Sequence, residues 1–250
     1  NNKIIIERMK AIILCAGSGK RTGLKYPKCL YKFKNQKTIL EKNIRLLKKK
    51  KFKNSDIFIV TGFKSTLIKN ITKNKYNYVY NKNYKITNMV YSLNLYLKKD
   101  SKSSDILIIY SDIIFDEKCL SLIIKSKEKI STLVDNNWLK KWKLKKNYQN
   151  DFEELLIENN EIVKLGKKTN NLENISGRFV GITKLSQSVL KDFNNSKLLD
   201  KILLKNKKID FTNFLMILIQ KKYSVHSILK NLKWAEFDTL DDFKKFKKLK

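Results

Sequence analysis

Residues 11–28, AIILCAGSGKRTGLKYPK, are the stretch that decides the fold of this 250-residue chain. They begin with four apolar residues at 11–14, which predict a short buried strand of a parallel sheet. Four small residues follow at 16–19 and let a ligand approach backbone N–H groups closely. Cations come next at positions 20 and 21, and another, at position 28, stands directly after the only proline. This combination predicts a loop that binds the phosphates of a nucleoside triphosphate.

Two commoner phosphate-binding loops do not fit this stretch. A Walker loop needs a glycine five residues before the second glycine and a hydroxyl residue after the lysine, where this chain has Leu14 and Arg21. The dinucleotide fingerprint needs a third glycine at position 22, which holds Thr22. The loop is therefore of another kind.

The stretch resembles the signature loop of the nucleotidyltransferase superfamily that activates phosphorylated metabolites with CTP, UTP or similar nucleotides. Its pattern is A-G-x-G-x-R, a spacer and P-K, matched here by Gly17, Gly19, Arg21, Pro27 and Lys28. The short spacer is similar to that of cytidylyltransferases of isoprenoid-precursor type. The resemblance implies an α/β protein with a Rossmann-like three-layer α/β/α fold and a mostly parallel mixed sheet, as in nucleotide-diphospho-sugar transferases.

Composition places the chain among globular proteins. Its apolar content is 42%, and it has no run of eighteen apolar residues, so we expect no membrane span. Three scattered cysteines predict a reduced, cytoplasmic setting. We expect residues 1–8 to be an N-terminal extension or the end of a linker, and 9–250 to be a single domain. A homodimer, or fusion to another enzyme domain, stays open.

The formal net charge of +32 suggests nucleic acid as a partner, but the distribution of the charge argues against it. Only four of the 55 cations are arginine, and the lysines occur in every predicted surface segment. Runs such as 48–51 and 244–250 are typical of solvated helix ends. The sequence therefore predicts no specific nucleic-acid partner, only weak adhesion at low salt.

Strand and helix patterns alternate along the chain, which favours a mostly parallel sheet covered on both faces. Asn159-Asn160 predicts the turn of a hairpin between segments 155–157 and 161–164. The predicted strands are 11–14, 56–61, 76–80, 105–110, 130–134 and 179–184, and the predicted helices are 39–50, 65–73, 88–98, 117–127, 186–193, 212–222 and 241–249.

Two aspartates follow predicted strands, where open α/β sheets place their sites. Asp112 comes after the strand at 105–110, and Asp238 follows the short extended segment 234–237. The resemblance implies that both hold Mg²⁺, the cofactor of nucleotidyl transfer, since hard cations prefer carboxylates. A helix N-cap is the alternative for each.

The resemblance also implies how the nucleotide is held. Lys20 and Arg21 would hold the β- and γ-phosphates, and Lys28 would stabilise charge at the α-phosphorus. Asn88 and Ser92 share a helix face beside the base, with helix capping as the alternative. The predicted catalytic residues are Lys28, Arg21 and Asp112, and the predicted nucleotide-binding residues are Leu14, Ala16, Gly17, Ser18, Gly19, Lys20, Arg21, Lys28, Thr87, Asn88, Ser92 and Ser111.

A third segment points to the acceptor substrate. Asp135, Trp138 and Trp142 resemble a motif of cytidylyltransferases that act on phosphocholine, aminoalkylphosphonates or phosphoglutamine. The tryptophans would cage an amine, Asp135 would bind it, and Lys167 would hold the acceptor phosphate. The alternatives are a place in the core or in a lid for the tryptophans, a strand-end cap for Asp135 and ordinary surface for Lys167. Arg178 stands where relatives often have a polar or acidic residue, so no role is transferred to it.

These features predict a Mg²⁺-dependent enzyme that uses CTP, or another NTP, and a small phosphorylated or phosphonate substrate, and that releases pyrophosphate. The first alternative is a sugar-1-phosphate nucleotidyltransferase using UTP or another NTP. The lack of a Gln-Gly-type base motif counts against it. The second is a noncatalytic polyanion-binding protein, against which the intact set Arg21, Lys28, Asp112 and Asp238 argues.

Overall fold

The computed structural model describes residues 9–19, 22–33, 37–100, 104–145 and 148–246. Nine strands form one sheet in the order β3-β2-β1-β4-β9-β6-β10-β8-β7, and β11 and β5 form a second, two-stranded sheet. The strands are β1 Lys10–Cys15, β2 Ile57–Thr61, β3 Asn77–Tyr80, β4 Ile106–Tyr110, β5 Ile113–Phe115, β6 Ile130–Asp135, β7 Glu153–Glu158, β8 Glu161–Lys168, β9 Arg178–Leu185, β10 His226–Lys230 and β11 Trp234–Glu236.

Helices cover both faces of the large sheet. They are α1 Ile39–Lys49, α2 Ser65–Ile71, α3 Met89–Lys99, α4 Glu117–Lys125, α5 Trp138–Trp142, α6 Gln187–Ser196, α7 Leu198–Lys205, α8 Phe211–Gln220 and α9 Leu240–Phe246. Only β8 and β9 run opposite to the other strands of the large sheet. The predicted three-layer α/β/α fold with a mostly parallel mixed sheet is confirmed.

Strand β1 is an interior strand of the sheet, and both of its faces are apolar. It pairs in parallel with β2 on one side and with β4 on the other. Ile12 and Leu14 pack with α3, α6 and α8, whereas Ala11, Ile13 and Cys15 pack with α1 and α4 on the opposite face. A continuous apolar run is what a strand buried on both faces requires.

Local sequence also sets several element ends. Helix α1 begins at a capping box in which Thr38 Oγ1 accepts from Glu41 N at 3.1 Å and Glu41 Oε2 accepts from Thr38 N at 2.8 Å. The hairpin between β7 and β8 turns at Asn159 and Asn160, whose φ angles are +48° and +64°. Two residues of positive φ make the turn that suits a two-residue hairpin, as the sequence predicted.

The two-stranded sheet is the feature that the sequence did not reveal. Residues 113–115 and 234–236 are more than a hundred positions apart, yet Glu236 pairs with Ile113 and Trp234 with Phe115 in antiparallel register. The backbone N–H of Phe237 continues the ladder by donating to the carbonyl of Asp112 at 3.0 Å. This pairing brings the residue before β5 and the residues after β11 together.

Other elements differ from the sequence-based expectations. Strands β5 and β10 and helices α5 and α7 were not predicted, because these segments are shorter than the window over which a hydrophobic period can be recognised. The predicted extension at 1–8 lies outside the described residues. Within the described part of the chain, no helix combines the length and the apolar character needed to cross a membrane.

We expect Gly181→Ala to destabilise the fold. Gly181 lies in β9 with φ +81°, and an added Cβ would lie 2.7 Å from Cδ2 of the Tyr110 ring. The combined backbone strain and overlap predict a loss of about 1–3 kcal/mol in the free energy of unfolding, measured by urea denaturation. Gly17→Ala is the matched control, since its added Cβ would have no atom within 4 Å. Equal losses in the two variants would contradict the prediction.

Candidate active site

The loops after β1 and β4 meet because these two parallel strands are neighbours in the sheet. Carboxyl ends of adjacent parallel strands lie at one edge, which is where α/β sheets bind ligands. A cleft of about 360 Å³ opens there. Its lining includes Leu14, Gly17, Ser18, Gly19, Lys28, Asn88, Tyr110, Ser111, Asp112, Glu236 and Asp238.

Lys28 lies at the centre of this cleft, between the two predicted metal-binding aspartates. Its Nζ donates to Asp112 Oδ2 at 2.6 Å, to Asp238 Oδ1 at 3.1 Å and to the carbonyl of Phe237 at 3.2 Å. The side chains of Lys28, Asp112 and Asp238 are only 13%, 21% and 14% exposed. The structure thus brings together three charged residues that the sequence assigned to phosphate and metal binding.

The charge state of Lys28 follows from these contacts. Burial by itself lowers the pKa of a lysine, but the adjacent carboxylates of Asp112 and Asp238 more than offset that effect and raise the pKa above its usual value. Lys28 therefore stays cationic at neutral pH, as a group that stabilises phosphate charge must.

The aspartate pair has the chemistry of a magnesium site. Mg²⁺ usually binds to one or two carboxylates and completes its shell with water and substrate phosphate oxygens. Asp112 and Asp238 supply two hard ligands beside the phosphate loop. Among the residues described, no group of three or more His, Cys, Asp or Glu side chains forms a closed metal cage. An open, two-carboxylate site fits a metal shared with the nucleotide.

Gly19 allows the loop to close over Lys28. Its φ is +61°, and an added Cβ would lie 2.9 Å from Lys28 Cγ. Thr22, whose presence ruled out the dinucleotide fingerprint, closes the loop through donation from Oγ1 to the Gly19 carbonyl at 2.6 Å. Lys20 and Arg21, predicted to hold the outer phosphates, lie outside the described residues.

A smaller recess of about 60 Å³ adjoins the cleft near the start of α3. Leu14, Ala16, Gly17, Thr87, Asn88 and Ser92 line it, together with Asn81, which the sequence had not indicated. Asn88 is the N-cap of α3, the alternative left open by the sequence, and its Nδ2 donates to the Lys208 carbonyl at 3.2 Å. The predicted base-binding residues thus converge, with Asn88 also serving as a cap.

Glu236 is a second cleft residue that was missed. It lies on β11, and its carboxylate is 3.9 Å from Lys145 Nζ and 4.0 Å from Arg178 Nη2. Burial and the nearby Asp238 carboxylate raise the pKa of Glu236 to about 8, in spite of these two cations. Side chains alternate between the two sides of an extended segment, so residues 236 and 238 lie on the same side. This alternation is the sequence pattern that could have identified Glu236.

Asp135 does not reach the cleft, which corrects its predicted role in acceptor binding. It is fully buried at the end of β6. Its carboxylate accepts from Trp234 Nε1 at 2.8 Å, from Leu232 N at 3.2 Å and from Asn137 N at 3.1 Å, and it forms an ion pair with Lys141. These donors occupy the carboxylate, which ties β6 to the segment that carries β11.

The two tryptophans are core residues, so the predicted amine cage is corrected as well. Trp138 and Trp142 are 5% and 2% exposed. The Trp142 ring is already contacted by Lys145 Nζ, 4.0 Å from the ring centroid, and by Arg178 Cζ, at 4.6 Å. Lys167 is exposed on β8 and is not part of the cleft lining.

We expect Asp135→Ala to lower the free energy of unfolding by about 3–5 kcal/mol, because it leaves the buried donors of Trp234 and Leu232 unpaired. Asp135→Asn keeps an acceptor and should lose less. Urea denaturation at 25 °C measures both. Asp192→Ala, at an exposed position on α6, is the control and should change stability by less than about 0.5 kcal/mol. Wild-type stability in Asp135→Ala would refute the structural role.

The chain is similar to known proteins. A family model described as the MobA-like NTP transferase domain matches residues 11–137. The CTP:phosphoglutamine cytidylyltransferase of Campylobacter jejuni is 32% identical to the chain, over 94% of this chain and 97% of that protein.

Two solved structures share the fold. The inositol-1-phosphate CTP transferase of T. maritima has a TM-score of 0.73 at 19% identity, covering 98% of this chain and 96% of its own. The CTP:phosphocholine cytidylyltransferase of Streptococcus pneumoniae has a TM-score of 0.70 at 19% identity, covering 97% and 99%. The prediction of a nucleotidyltransferase is confirmed by the family match and by the relative of 32% identity. The chain belongs to the MobA-like NTP transferase family.

Proposed function

We propose that this protein is a Mg²⁺-dependent cytidylyltransferase that couples the CMP moiety of CTP to a small phosphorylated or phosphonate metabolite carrying an amine, with release of pyrophosphate. The observation that carries the proposal is the position of Lys28 between Asp112 and Asp238 beside the small-residue loop. The Campylobacter jejuni relative, named for CTP and phosphoglutamine, supports the choice of nucleotide and of acceptor class.

In the proposed reaction, an oxygen of the acceptor phosphate attacks the α-phosphorus of CTP. A new P–O bond forms, and the bond to the β-phosphate oxygen breaks, so that pyrophosphate leaves with the electron pair. The backbone of Gly17 and Gly19 lets the triphosphate approach closely, and Lys28 offsets negative charge that develops at the α-phosphorus. When bound, Mg²⁺ would be held by Asp112 and Asp238 and would neutralise phosphate charge.

The carboxylates of Glu236 and Glu153 support an acceptor that carries an amine. Glu236 lines the cleft, 4.0 Å from Arg178 Nη2, and Glu153 lies 3.9 Å from Arg178 Nη1. Burial raises the pKa of Glu153, and the adjacent carboxylates of Asp151, Asp210 and Asp238 raise it further against the effect of Arg178. A raised pKa means that the ionised form of the carboxylate is destabilised. The positive charge of an ammonium group would stabilise that ionised form.

We expect pyrophosphate release to require CTP, Mg²⁺ and a phosphorylated amine together. The assay tests each NTP against phosphoglutamine, phosphocholine, 2-aminoethylphosphonate and glucose-1-phosphate. Turnover with CTP and one of the first three acceptors supports the proposal and names the substrate. Turnover with UTP and glucose-1-phosphate would instead establish the sugar-nucleotide alternative. Folded protein that releases no pyrophosphate in any combination would contradict the proposal.

Substitutions in the cluster test its catalytic role. We expect Asp112→Asn and Lys28→Ala each to reduce kcat/KM by about 10²–10³-fold. Lys28→Ala removes a cation that would offset charge at the α-phosphorus, and Asp112→Asn removes a carboxylate that would hold Mg²⁺. Asp192→Asn makes the same chemical change as Asp112→Asn at an exposed position on α6 that does not line the cleft, and it should leave kcat/KM unchanged. Near-normal turnover in both cluster variants, with the control intact, would show that the cleft is not the catalytic centre.

A further inference from the structure

Asn81 is a buried polar residue at the recess beside the cleft. It follows β3 directly, its residue exposure is 1%, and its backbone N–H donates to the Thr61 carbonyl at 2.8 Å. The side chain therefore starts from a backbone that is hydrogen-bonded to β2. A buried amide in such a place specifies the orientation of the groups that it contacts.

The direction of the Asn81 amide is set by a backbone donor. Asn83 N donates to Asn81 Oδ1 at 3.0 Å, and a backbone N–H cannot accept a hydrogen bond. Oδ1 is therefore the carbonyl oxygen, and Nδ2 is the donor. Nδ2 lies 3.1 Å from Thr87 Oγ1 and 3.0 Å from Ser92 Oγ, so both hydroxyl oxygens accept from Asn81.

The hydroxyls of Thr87 and Ser92 differ in the hydrogen bonds that they can still form with a ligand. Thr87 Oγ1 donates its proton to the Asn83 carbonyl at 2.9 Å, which leaves it only a lone pair for a ligand. Ser92 Oγ accepts from Asn81 and has no acceptor for its proton among the residues described. Ser92 is 3% exposed and lines the recess, so its proton is available to a group bound there.

The recess is placed to receive a nucleotide base. It shares the lining residues Leu14, Gly17, Asn88 and Met89 with the larger cleft, so the two spaces are next to each other. A base joined through its ribose to phosphates at the loop can enter it. The volume of about 60 Å³ admits the edge of a ring, with the remainder in the cleft.

We propose that Asn81 sets the base preference of the enzyme by turning the Ser92 proton away from itself, toward a ligand in the recess, and by keeping Thr87 as an acceptor. This inference rests on the proposed use of CTP. Cytosine and uracil have the same outline and exchange donor and acceptor at N3 and at the exocyclic group on C4. Hydroxyl groups that rotate freely can hydrogen-bond to either base. A donor and an acceptor of fixed direction distinguish cytosine from uracil.

The test is the nearly isosteric substitution Asn81→Asp. The new carboxylate keeps an acceptor for Asn83 N but replaces the amide donor with a second acceptor, to which Ser92 would donate. Ser92 would then offer a lone pair to the base instead of a proton. We expect the ratio of kcat/KM for CTP to kcat/KM for UTP to fall by about 10-fold or more.

Two further variants sharpen the result. Ser92→Ala removes the available proton, and it should lower the same ratio toward unity without a gain in UTP use. Asn70→Asp makes the same chemical change as Asn81→Asp at an exposed position on α2 and should leave the ratio unchanged. Because the readout is a ratio between two nucleotides, a general loss of stability would not move it.

The outcomes separate this inference from the proposed function. Folded Asn81→Asp or Ser92→Ala enzyme that retains the wild-type CTP-to-UTP ratio would overturn the role of Asn81, while the cytidylyltransferase assignment would stand. If Asn81→Asp does not fold, the Ser92→Ala ratio decides alone. A wild-type enzyme that does not use CTP would overturn the proposed function and this inference with it.

Discussion

The ion pairs of Lys28 with Asp112 and Asp238 join three loops that are far apart in the sequence. Lys28 follows the phosphate loop, Asp112 follows β4, and Asp238 follows β11. With the carboxylates only partly exposed, each charge depends on the others, because a buried charge without a partner is costly. The triad therefore fixes the edge of the sheet at which phosphates, metal and acceptor would meet.

The support behind this cluster is largely hidden from solvent. Strand β11 is held from one side by its pairing with β5 and from the other by Trp234, whose Nε1 donates to the buried Asp135. Asp135 thus supports β11, which carries Glu236, and does not line the cleft. Arg178 also lies behind the cleft, because its guanidinium packs on the Trp142 ring and lies near the carboxylates of Glu153 and Glu236.

Residues with a local signature were predictable. The apolar run of β1 and the turn at Asn159-Asn160 each depend on a few neighbouring residues, and the structure agrees with them. The roles of Asp135, Trp138 and Trp142 could not be predicted in this way. A polar or aromatic residue after a strand gives the same sequence pattern whether its side chain faces a ligand or the core. Their burial decided in favour of the core.

The sequence by itself determined the α/β class, the small-residue loop after β1 and the two aspartates at strand ends, since each depends on residues that are contiguous in the chain. The tertiary structure alone decided that β5 pairs with β11, that Glu236 borders the cleft, and that Asn81 orients Thr87 and Ser92. These features depend on hydrogen bonds and burial between segments that the chain brings together only on folding. No local pattern specifies which partner a buried polar group will find.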